Sequence, residues 1–439
     1  MIKFSVFGRF IAHKTCYFNV KIIRASQIIE SDIKSMKIVV MKFGGTSVAN
    51  LSKIRNVAKI VKENSQKNKI VVVLSAMSGV TNQLQSYVEE VSSEPSRETD
   101  LVITSGEQVT VGLLSMILNR EGVKSLPLLG WQVPIVTDEN HEKGRILNIN
   151  NETIYHHFKS NDVIVLTGFQ GISVNGDITS LGRGGSDTTA VAIASSLKAV
   201  RCDIYTDVEG VYTADPNVEK NAKKINKVSY EEMLEMSSMG AKVLQTRSVE
   251  LAMKNNLTLQ VLSSLTNTEG TYIVNENKLI EKEIVSGVSY SKNESKITIS
   301  GIPDKPGISA KIFGLMASNN INVDMIVQNI SQDGVSANMT FTVLTKDIEL
   351  AKKTLERNNN ELNYTNLSTD SNIAKISVIG MGMMSQSGVA EKMFKTLADK
   401  LINILAISTS EIKISVLIDK KYTDLAVKTL HSVYKLDNK

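Results

Sequence analysis

Short apolar runs alternate with amphipathic segments through the first two thirds of the chain, starting near Met36. Runs rich in Val and Ile predict buried strands, and segments with apolar residues three or four positions apart predict helices. The predicted strands are residues 37–42, 70–74, 163–167 and 202–206, and the predicted helices are residues 48–63, 82–91 and 188–199. This alternation predicts an α/β fold, a mostly parallel sheet with helices on both faces. Ligands bind such sheets at the carboxyl ends of the strands.

The last third of the chain contains an internal repeat. Residues 307–313 (GISAKIF) align with residues 388–394 (GVAEKMF), and residues 321–323 (INV) align with residues 402–404 (INI). Both pairs are offset by the same 81 residues, which favours a duplication over chance similarity. Each copy predicts a strand, a glycine turn, a helix and two further strands. The predicted strands are residues 296–300, 322–327, 336–344, 374–379, 403–408 and 411–418, and the helices are residues 310–318 and 389–398.

The composition is ordinary for a globular protein of about two to three domains. The chain has 439 residues, of which 42% are hydrophobic and 22% are charged. Its two cysteines, Cys16 and Cys202, cannot form a disulfide framework, so we expect a reducing compartment, the cytoplasm. The longest apolar runs are far shorter than the ~18 residues that cross a bilayer, so we expect no membrane partner.

The formal net charge of +5 is concentrated in residues 1–35, where six basic residues accompany two acidic ones. The rest of the chain is nearly neutral, so the charge gives no support for a nucleic-acid partner. We interpret this head as an N-terminal extension. It is either a tail that follows an upstream start codon, which we favour, or an organelle targeting leader.

The sequence contains three glycine-rich loops, and two of them, each at the end of a predicted strand, suggest nucleotide contacts. Residues 42–47 (KFGGTS) join a lysine to two glycines, which let the backbone approach phosphate oxygens. A tight turn with a surface lysine is an equal alternative. Residues 206–216 (TDVEGVYTADP) offer Asp207 for ribose hydroxyls and Tyr212 to flank a base. Taken alone, the Asp-Pro of this loop is simply a turn.

The remaining loop, residues 181–189 (LGRGGSDTT), leads directly into a predicted helix. A helix N-terminus binds anions, and Arg183 can bind a carboxylate through two hydrogen bonds. The alternative is plain N-capping by Ser186 or Asp187. Three glycines and an arginine ahead of the cap favour a functional site.

Several common signatures are absent from the sequence. There is no Walker or G-x-G-x-x-G order, and no G-x-S-x-G elbow of an α/β-hydrolase. The five histidines include no pair spaced i, i+4, and no CxxC or HExxH spacing occurs. We therefore expect no metal held by the protein alone.

Six motifs occur together in the order that the amino acid kinase family has. They are residues 42–48 (KFGGTSV), 74–81 (LSAMSGVT), 105–107 (SGE), 182–187 (GRGGSD), 206–216 (TDVEGVYTADP) and 239–244 (MGAKVL). The chain resembles this family from Met36 to its C-terminus, and the resemblance narrows to the aspartate kinases. Its tail is similar to the paired ferredoxin-like ACT domains of lysine-sensitive members. The implied segments are an extension (residues 1–35), a catalytic domain (36–283) and ACT domains 1 (284–368) and 2 (369–439).

The resemblance implies that the chain uses ATP to phosphorylate the side-chain carboxylate of L-aspartate, the first step toward lysine, threonine, methionine and diaminopimelate. Lys42 would stabilise phosphate charge, and Asp187 would position the reactants, because the substrate carboxylate has no proton to remove near neutral pH. The implied substrate-binding residues are Ser47, Thr81, Glu107, Arg183, Gly184, Gly185 and Ser186, with Arg183 on the carboxylate and Glu107 on the ammonium group. The implied ATP-binding residues are Lys42, Phe43, Gly44, Gly45, Thr206, Asp207, Tyr212, Lys242 and Val243. Mg²⁺ would be held mainly by the nucleotide.

Two positions depart from the family's pattern. Asn217 stands where an arginine commonly follows the Asp-Pro, which weakens a phosphate contact or shifts it to Lys220. Gln245 and Thr246 replace the usual His-Pro, which changes the turn after Lys242. Neither departure removes an implied catalytic group.

The ACT resemblance implies feedback regulation by lysine, threonine or both, bound between ACT modules. Asp304, Asn322, Asp324 and Gln328 are the candidate effector ligands, and ordinary turn and strand-end polarity explains them equally well. We expect a homo-oligomer formed through the ACT domains. Two other functions stay open: a related amino acid kinase with another substrate, and a non-catalytic amino-acid-sensing subunit.

Overall fold

The computed structural model describes residues 37–438, except residues 93, 239–242, 267, 280–283 and 332–333. The predicted extension and Lys242 lie outside the described residues. The chain forms two compact units, one that ends at Asp207 and includes Leu257–Leu259, and one that comprises Val208–Asn256 and Gln260–Lys439.

The first unit is built around a parallel sheet. Its strands are β1 (Ile38–Phe43), β2 (Lys69–Leu74), β3 (Ser125–Leu128), β4 (Ile135–Thr137), β5 (Ile146–Ile149), β6 (Val163–Thr167), β7 (Gln170–Ser173), β8 (Ile178–Ser180) and β9 (Arg201–Thr206). Its helices are α1 (Leu51–Ser65), α2 (Val80–Val91), α3 (Arg97–Ile103), α4 (Gly106–Arg120), α5 (Asn151–Phe158) and α6 (Gly185–Ser196). The main sheet has the order β3-β6-β2-β1-β9 and is parallel throughout. A smaller mixed sheet has the order β5-β4-β7-β8.

The burial of the central strands explains why they form here. All five residues of β6 and the last five of β2 are buried, so both faces of the sheet are covered. Helix α6 is buried from Gly185 to Ala194 because its small residues let it pack closely on the sheet. The predicted strands and helices of this unit match the observed ones to within a few residues, and the predicted α/β fold class is confirmed.

The second unit begins with mixed structure and ends with two ferredoxin-like modules. Its strands are β10 (Lys227–Ser229), β11 (Leu259–Ser263), β12 (Thr271–Val274), β13 (Gly287–Ser291), β14 (Glu294–Pro303), β15 (Val323–Ile330), β16 (Ser336–Leu344), β17 (Asn366–Asp370), β18 (Ile373–Ile379), β19 (Ala406–Thr409) and β20 (Lys413–Asp419). Its helices are α7 (Tyr230–Ser238), α8 (Thr246–Lys254), α9 (Ile308–Ser318), α10 (Ile348–Arg357), α11 (Asn359–Leu362), α12 (Val389–Asp399) and α13 (Thr423–Val433). Strands β10, β12 and β11 lie side by side.

The predicted duplication is visible in the two modules. The first ACT module, residues 294–370, has the antiparallel sheet β15-β16-β14-β17, and the second has the sheet β19-β20-β18-β13. Gly307 and Gly388 precede equivalent helices at φ of 94° and 91°, a conformation that glycine adopts without strain. The sequence repeat therefore marks the same turn in both copies.

The order of strands shows how the modules are connected. The predicted division between residues 368 and 369 assigns β13 to the first module, whereas β13 is hydrogen-bonded to β18 of the second. The second ACT module thus consists of residues 287–291 and 373–433, and the first module is inserted within it. The sequence repeat does not reveal this arrangement because β13 lies outside the aligned motifs.

One segment has the length and apolar character of a membrane span. Among the described residues, Arg97–Arg120 passes this test, and half of its most apolar window is buried inside the protein. Helices α3 and α4 divide this segment near Ser105. The apolar runs measured along the sequence are uninterrupted ones. Small polar residues divide Arg97–Arg120 into shorter runs, so this segment is not among them.

A buried lysine joins the two ACT modules. The Lys375 ammonium on β18 lies 2.6 Å from Glu294 Oε1 on β14 and 2.5 Å from Asp324 Oδ2 on β15. The side chains of Lys375 and Glu294 are 4% and 8% exposed. Although burial lowers it, the two carboxylates raise the pKa of Lys375 above its ordinary value, so the ammonium stays charged.

We expect Lys375→Met to reduce the free energy of unfolding by about 3 kcal/mol, because it leaves the buried Glu294 carboxylate without its cation. Urea titration followed by circular dichroism measures this change. The matched control is Lys311→Met, which breaks an exposed pair with Glu361 at 3.7 Å and is expected to change stability by less than about 1 kcal/mol. Equal effects of the two substitutions would contradict a structural role for the Lys375 cluster.

Candidate active site

A lysine and an aspartate meet at the carboxyl end of the main sheet. Lys42 is the fifth residue of β1, in register with Val73 of β2 and Ile204 of β9. Its ammonium lies 2.5 Å from Asp187 Oδ1, in the first turn of α6, and the two side chains are only 12% and 9% exposed. The pair therefore places one positive and one negative group where ligands of parallel sheets bind.

The start of α6 is shaped by glycine rather than by a polar cap. Gly182 and Gly184 both have φ of 75°, and Gly184 is the N-cap residue without a side-chain hydrogen bond. The side chains of Ser186 and Asp187 do not cap this helix, so the capping alternative is wrong. They are directed to other partners, and the helix N-terminus remains a suitable anion site.

The loops that follow β2 and β6 pack closely on this helix start. Ser75 Oγ donates a hydrogen bond to Ser186 Oγ at 3.0 Å. A Cβ on Gly168 would lie 2.7 Å from Ser186 Oγ, and a Cβ on Gly45 would lie 3.0 Å from the Ala76 carbonyl. These glycines are required because three loop backbones converge within van der Waals distance.

Glu107 supplies a buried carboxylate on the same side of the sheet. It lies in the first turn of α4, is 2% exposed, and its Oε1 accepts a hydrogen bond from the Ala76 amide at 3.0 Å. Its Oε2 has no hydrogen-bond partner among the described residues. Burial raises the pKa of Glu107 to about 7, although the amide hydrogen bond lowers it. An unpaired buried carboxylate oxygen is suited to receive a ligand ammonium group.

The other implied substrate residues of the first unit differ in exposure. Arg183 is exposed, Thr81 is half-buried in the first turn of α2, and Ser47 is buried in the short turn after β1. Arg183 has no ion pair or hydrogen bond with the described residues, so its guanidinium is available for a carboxylate. The structure therefore brings Lys42, Asp187 and Ser186 together and leaves Arg183 at the rim.

The implied nucleotide residues divide into three groups. The Phe43 side chain is fully buried and stacks on Tyr205 with ring centroids 4.4 Å apart, so only its backbone is available to a nucleotide. Thr206 is the last residue of β9, and its hydroxyl donates to Asp207 Oδ1 at 3.1 Å. Tyr212 and Val243 are half-buried residues of the second unit.

The departure at Asn217 has a local structural role. Asp215 Oδ1 accepts hydrogen bonds from the Asn217 amide at 2.9 Å and from its side chain at 3.0 Å. The Glu219 amide also donates a hydrogen bond to the Asp215 carbonyl, which closes the turn. Asn217 therefore stabilises the Asp-Pro turn, and Lys220 lies exposed just beyond it.

The candidate effector residues are all exposed and do not form one cluster through their own contacts. Gln328 Oε1 accepts a hydrogen bond from Ser309 at the start of α9, and Asp324 is paired with Lys375. The Asp304 amide donates to the Val335 carbonyl. Asn322 precedes β15.

Asp100 is a site-supporting residue that the sequence motifs do not include. Its carboxylate is fully buried on α3, accepts hydrogen bonds from Ser180 Oγ at 2.5 Å and the Glu142 amide at 3.1 Å, and lies 2.8 Å from His141 Nδ1. A Cβ on Gly182 would lie 2.8 Å from the Glu142 carbonyl. Asp100 thus fixes the two segments that precede Arg183. An acidic residue in the first turn of a helix gives no signal for this role, since such residues are usually exposed.

We expect Glu107→Gln to stabilise the folded protein at alkaline pH. The folded state holds the Glu107 proton more tightly than the unfolded chain, so the stability from this group is present below pH 4.5 and is lost as the pH rises through about 7. Glutamine does not ionise, and the variant should exceed the wild type by up to about 3 kcal/mol at pH 8, with the difference vanishing near pH 4.5. Thermal melts across pH measure this. Glu90→Gln, at an exposed position on α2, is the control and should follow the wild type.

Comparison with known sequences shows which family the chain resembles. The profile described as the amino acid kinase family matches residues 37–263, and an ACT domain profile matches residues 297–358 and 376–434. An aspartate kinase of Pseudomonas putida is 48% identical over 405 residues, which cover 92% of this chain and 98% of that protein. An aspartokinase of Helicobacter pylori is 46% identical over 406 residues, 91% of this chain and all of that protein.

Solved structures agree with the sequence comparisons. Aspartokinase III of E. coli in complex with aspartate and ADP, described as the R-state, matches with a TM-score of 0.78 and 26% identity, over 90% of this chain and 99% of that one. The same enzyme with lysine and aspartate, described as the T-state, matches with a TM-score of 0.71 over the same shares. The chain therefore belongs to the amino acid kinase family, within its aspartate kinase branch that carries paired ACT domains.

Proposed function

We propose that this protein transfers the γ-phosphoryl group of ATP to the side-chain carboxylate of L-aspartate, giving 4-phospho-L-aspartate and ADP. The observation that carries the proposal is the buried Lys42–Asp187 pair at the junction of a glycine loop and a helix N-terminus. The identity to aspartate kinases across nine tenths of the chain supports aspartate as the acceptor. The product enters amino-acid biosynthesis as an activated acyl phosphate.

The reaction requires charge neutralisation more than proton transfer. One oxygen of the aspartate carboxylate forms a bond to the γ-phosphorus, the bond from that phosphorus to the β,γ-bridging oxygen breaks, and ADP leaves with the bond electrons. The carboxylate is already ionised near neutral pH, so no base is needed. Lys42 stabilises the charge on the transferred group, and Asp187 holds the Lys42 ammonium in place.

The substrate is held by groups of opposite charge at its two ends. Glu107, with its unpaired Oε2, receives the ammonium group, and the exposed Arg183 binds the α-carboxylate. Ser47, Thr81 and the Gly184–Ser186 backbone and hydroxyl complete the hydrogen bonds. Binding of a cation beside Glu107 favours its ionised form, which compensates for its burial.

The nucleotide would use the glycine turn after β1 and the loop after β9. Gly44 and Gly45 let the backbone approach phosphate, and Thr206 and Asp207 offer hydroxyl and carboxylate oxygens to ribose. The family resemblance adds Tyr212, Lys242 and Val243 as further ATP-binding candidates. The described residues contain no group of three or more metal-ligating side chains, which fits a Mg²⁺ ion carried by the nucleotide phosphates. Bound there, Mg²⁺ supplies electrostatic neutralisation of the phosphate charge.

The first ACT module is the proposed effector site, with lysine, threonine or both as ligands. Asp324, Gln328, Asp304 and Asn322 are exposed polar groups able to bind an amino acid's charged ends. Strand β15 is at the end of its sheet and exposes Ile326 and Ile330, which supports assembly into a homo-oligomer through this module. A cytoplasmic location fits Cys202, which is buried and unpaired.

Lys42→Ala should lower kcat for aspartyl phosphate formation by at least about 100-fold, because it removes the positive charge that faces the transferred group. The assay traps the acyl phosphate with hydroxylamine in the presence of ATP and aspartate. Lys59→Ala, which removes an exposed lysine on α1, is the control with expected wild-type activity. A fully active Lys42→Ala variant would refute the phosphate role.

The same assay separates the other functions. Hydroxamate formation with glutamate or another acceptor, and not with aspartate, would favour a related kinase. Binding of ATP and aspartate without any acyl phosphate would favour a sensing subunit.

Millimolar lysine or threonine, alone or together, should inhibit the hydroxamate reaction. Asp324→Asn should raise the half-inhibitory concentration by about tenfold, since a neutral amide binds an ammonium group more weakly. Asp424→Asn, which removes an exposed carboxylate paired with Lys292, is the control. Activity that is indifferent to both amino acids would exclude them as effectors.

A further inference from the structure

The segment that follows Tyr212 is built into the second ACT module. Ala214 is 4% exposed and belongs to the same buried cluster as Val288 of β13 and Leu430 of α13. Val218 and Ala222 pack against that cluster from the side of the segment. A loop that contributes side chains to the core of another module cannot move independently of it.

Polar contacts fix the same segment at two further points. The Val288 amide donates to the Thr213 carbonyl at 2.8 Å, and a Cβ on Gly287 would lie 3.0 Å from that carbonyl oxygen. Tyr290 donates its hydroxyl hydrogen to Asp215 Oδ2 at 3.0 Å. Strand β13 therefore lies directly along residues 213–215.

The most buried of these contacts joins a hydroxyl to an imidazole. Thr213 Oγ1 lies 2.9 Å from His431 Nε2 on α13, and each residue is 1% exposed. Thr213 Oγ1 also accepts a hydrogen bond from the Lys223 amide at 2.9 Å. Because both side chains are buried, loss of either partner removes a hydrogen bond that water does not readily replace.

The histidine is specific to the second ACT module. Helices α10 and α13 occupy equivalent places, with Ala351 and Leu355 of the first matching Ala426 and Leu430 of the second as buried core residues. By this alignment, His431 corresponds to Glu356, which is exposed. The duplicated fold thus carries the imidazole contact only in the copy that holds the Thr213 segment.

We propose that His431 is a positioning residue for ATP: through Thr213 it fixes the loop that carries Tyr212. Thr213 and Tyr212 are adjacent, and Tyr212 forms an isolated antiparallel bridge with Lys224, next to the Lys223 amide that donates to Thr213 Oγ1. Holding Thr213 in the ACT core therefore sets the direction of Tyr212. This inference rests on the proposed role of Tyr212 in the nucleotide site, and it assigns the second ACT module a direct part in ATP binding.

The test compares nucleotide and aspartate kinetics in His431→Leu. We expect KM for ATP to rise about tenfold, in line with the loss of one buried hydrogen bond, while KM for aspartate changes less than about twofold. Calorimetry with ADP should show a similar loss of affinity, which does not depend on turnover. His431→Gln, whose amide reaches the position of Nε2, should restore most of the affinity.

Two further variants make the test specific. Thr213→Val keeps the shape of the threonine, removes its hydroxyl and should reproduce the His431→Leu effect, and the double variant should add little to either. If His431→Leu does not fold, Thr213→Val carries the test alone. Glu356→Leu, the same substitution at the equivalent exposed position, should leave both KM values unchanged.

The outcomes distinguish this inference from the proposed function. A wild-type protein that forms aspartyl phosphate, together with His431→Leu and Thr213→Val variants of unchanged ATP affinity, overturns the positioning role alone. Equal weakening of ATP and aspartate also overturns it, since that result indicates a general loss of structure. A wild-type protein that binds ADP but phosphorylates nothing overturns the proposed function, and the calorimetric comparison still decides the role of His431.

Discussion

A nearly buried ion pair between Lys42 and Asp187 is the contact on which the catalytic unit depends. Taking two charges out of water is expensive, and the cost is offset only when the partners are held at close range. Here β1 supplies the lysine, and α6 supplies the aspartate from its first turn. The glycines at 45 and 168 are needed because larger residues would separate the loops that keep these two charges together. The proposed substrates, ATP and aspartate, are both anions, and the cation that binds them, Lys42, is already desolvated and oriented before they arrive.

Much of this arrangement is predictable from the sequence because local patterns and sheet geometry determine it. The short, β-branched apolar runs at residues 70–74 and 163–167 are typical of buried strands, and parallel strands bring their carboxyl ends to one edge. Because glycine loops follow these strands in the sequence, their position at that edge is predicted as well. The repeat in the tail is predictable for the same reason, since Gly307 and Gly388 each mark a turn that only a positive φ allows.

The features that the sequence does not predict depend on contacts between distant residues. Phe43 belongs to a predicted nucleotide loop, yet its ring is fully buried against Tyr205, because Phe43 is the last residue of β1 and both faces of this parallel sheet are covered. In the sequence, Asp100 is an ordinary acidic residue in the first turn of a helix. In the structure, the Ser180 hydroxyl and the Glu142 amide donate hydrogen bonds to its carboxylate. Strand β13 is too short for its partner to be inferred, and its pairing with β18 makes the first ACT module an insertion.

The inserted arrangement gives the two copies of one fold different physical roles. The first ACT module keeps its strand β15 at the end of a sheet, with exposed apolar and acidic side chains, which suits ligand or subunit contact. The second module has β13 at the opposite edge of its sheet, where the first module has β17, and β13 carries the segment of residues 213–215. The first module is connected to β13 through Lys375 and β18, because Lys375 on β18 pairs with Glu294 and Asp324 of the first module and β18 is hydrogen-bonded to β13. One buried cation and one strand pair therefore connect the exposed face that carries Asp324 to the strand that contacts residues 213–215, and this is the shortest physical route by which a change in one module would affect the other.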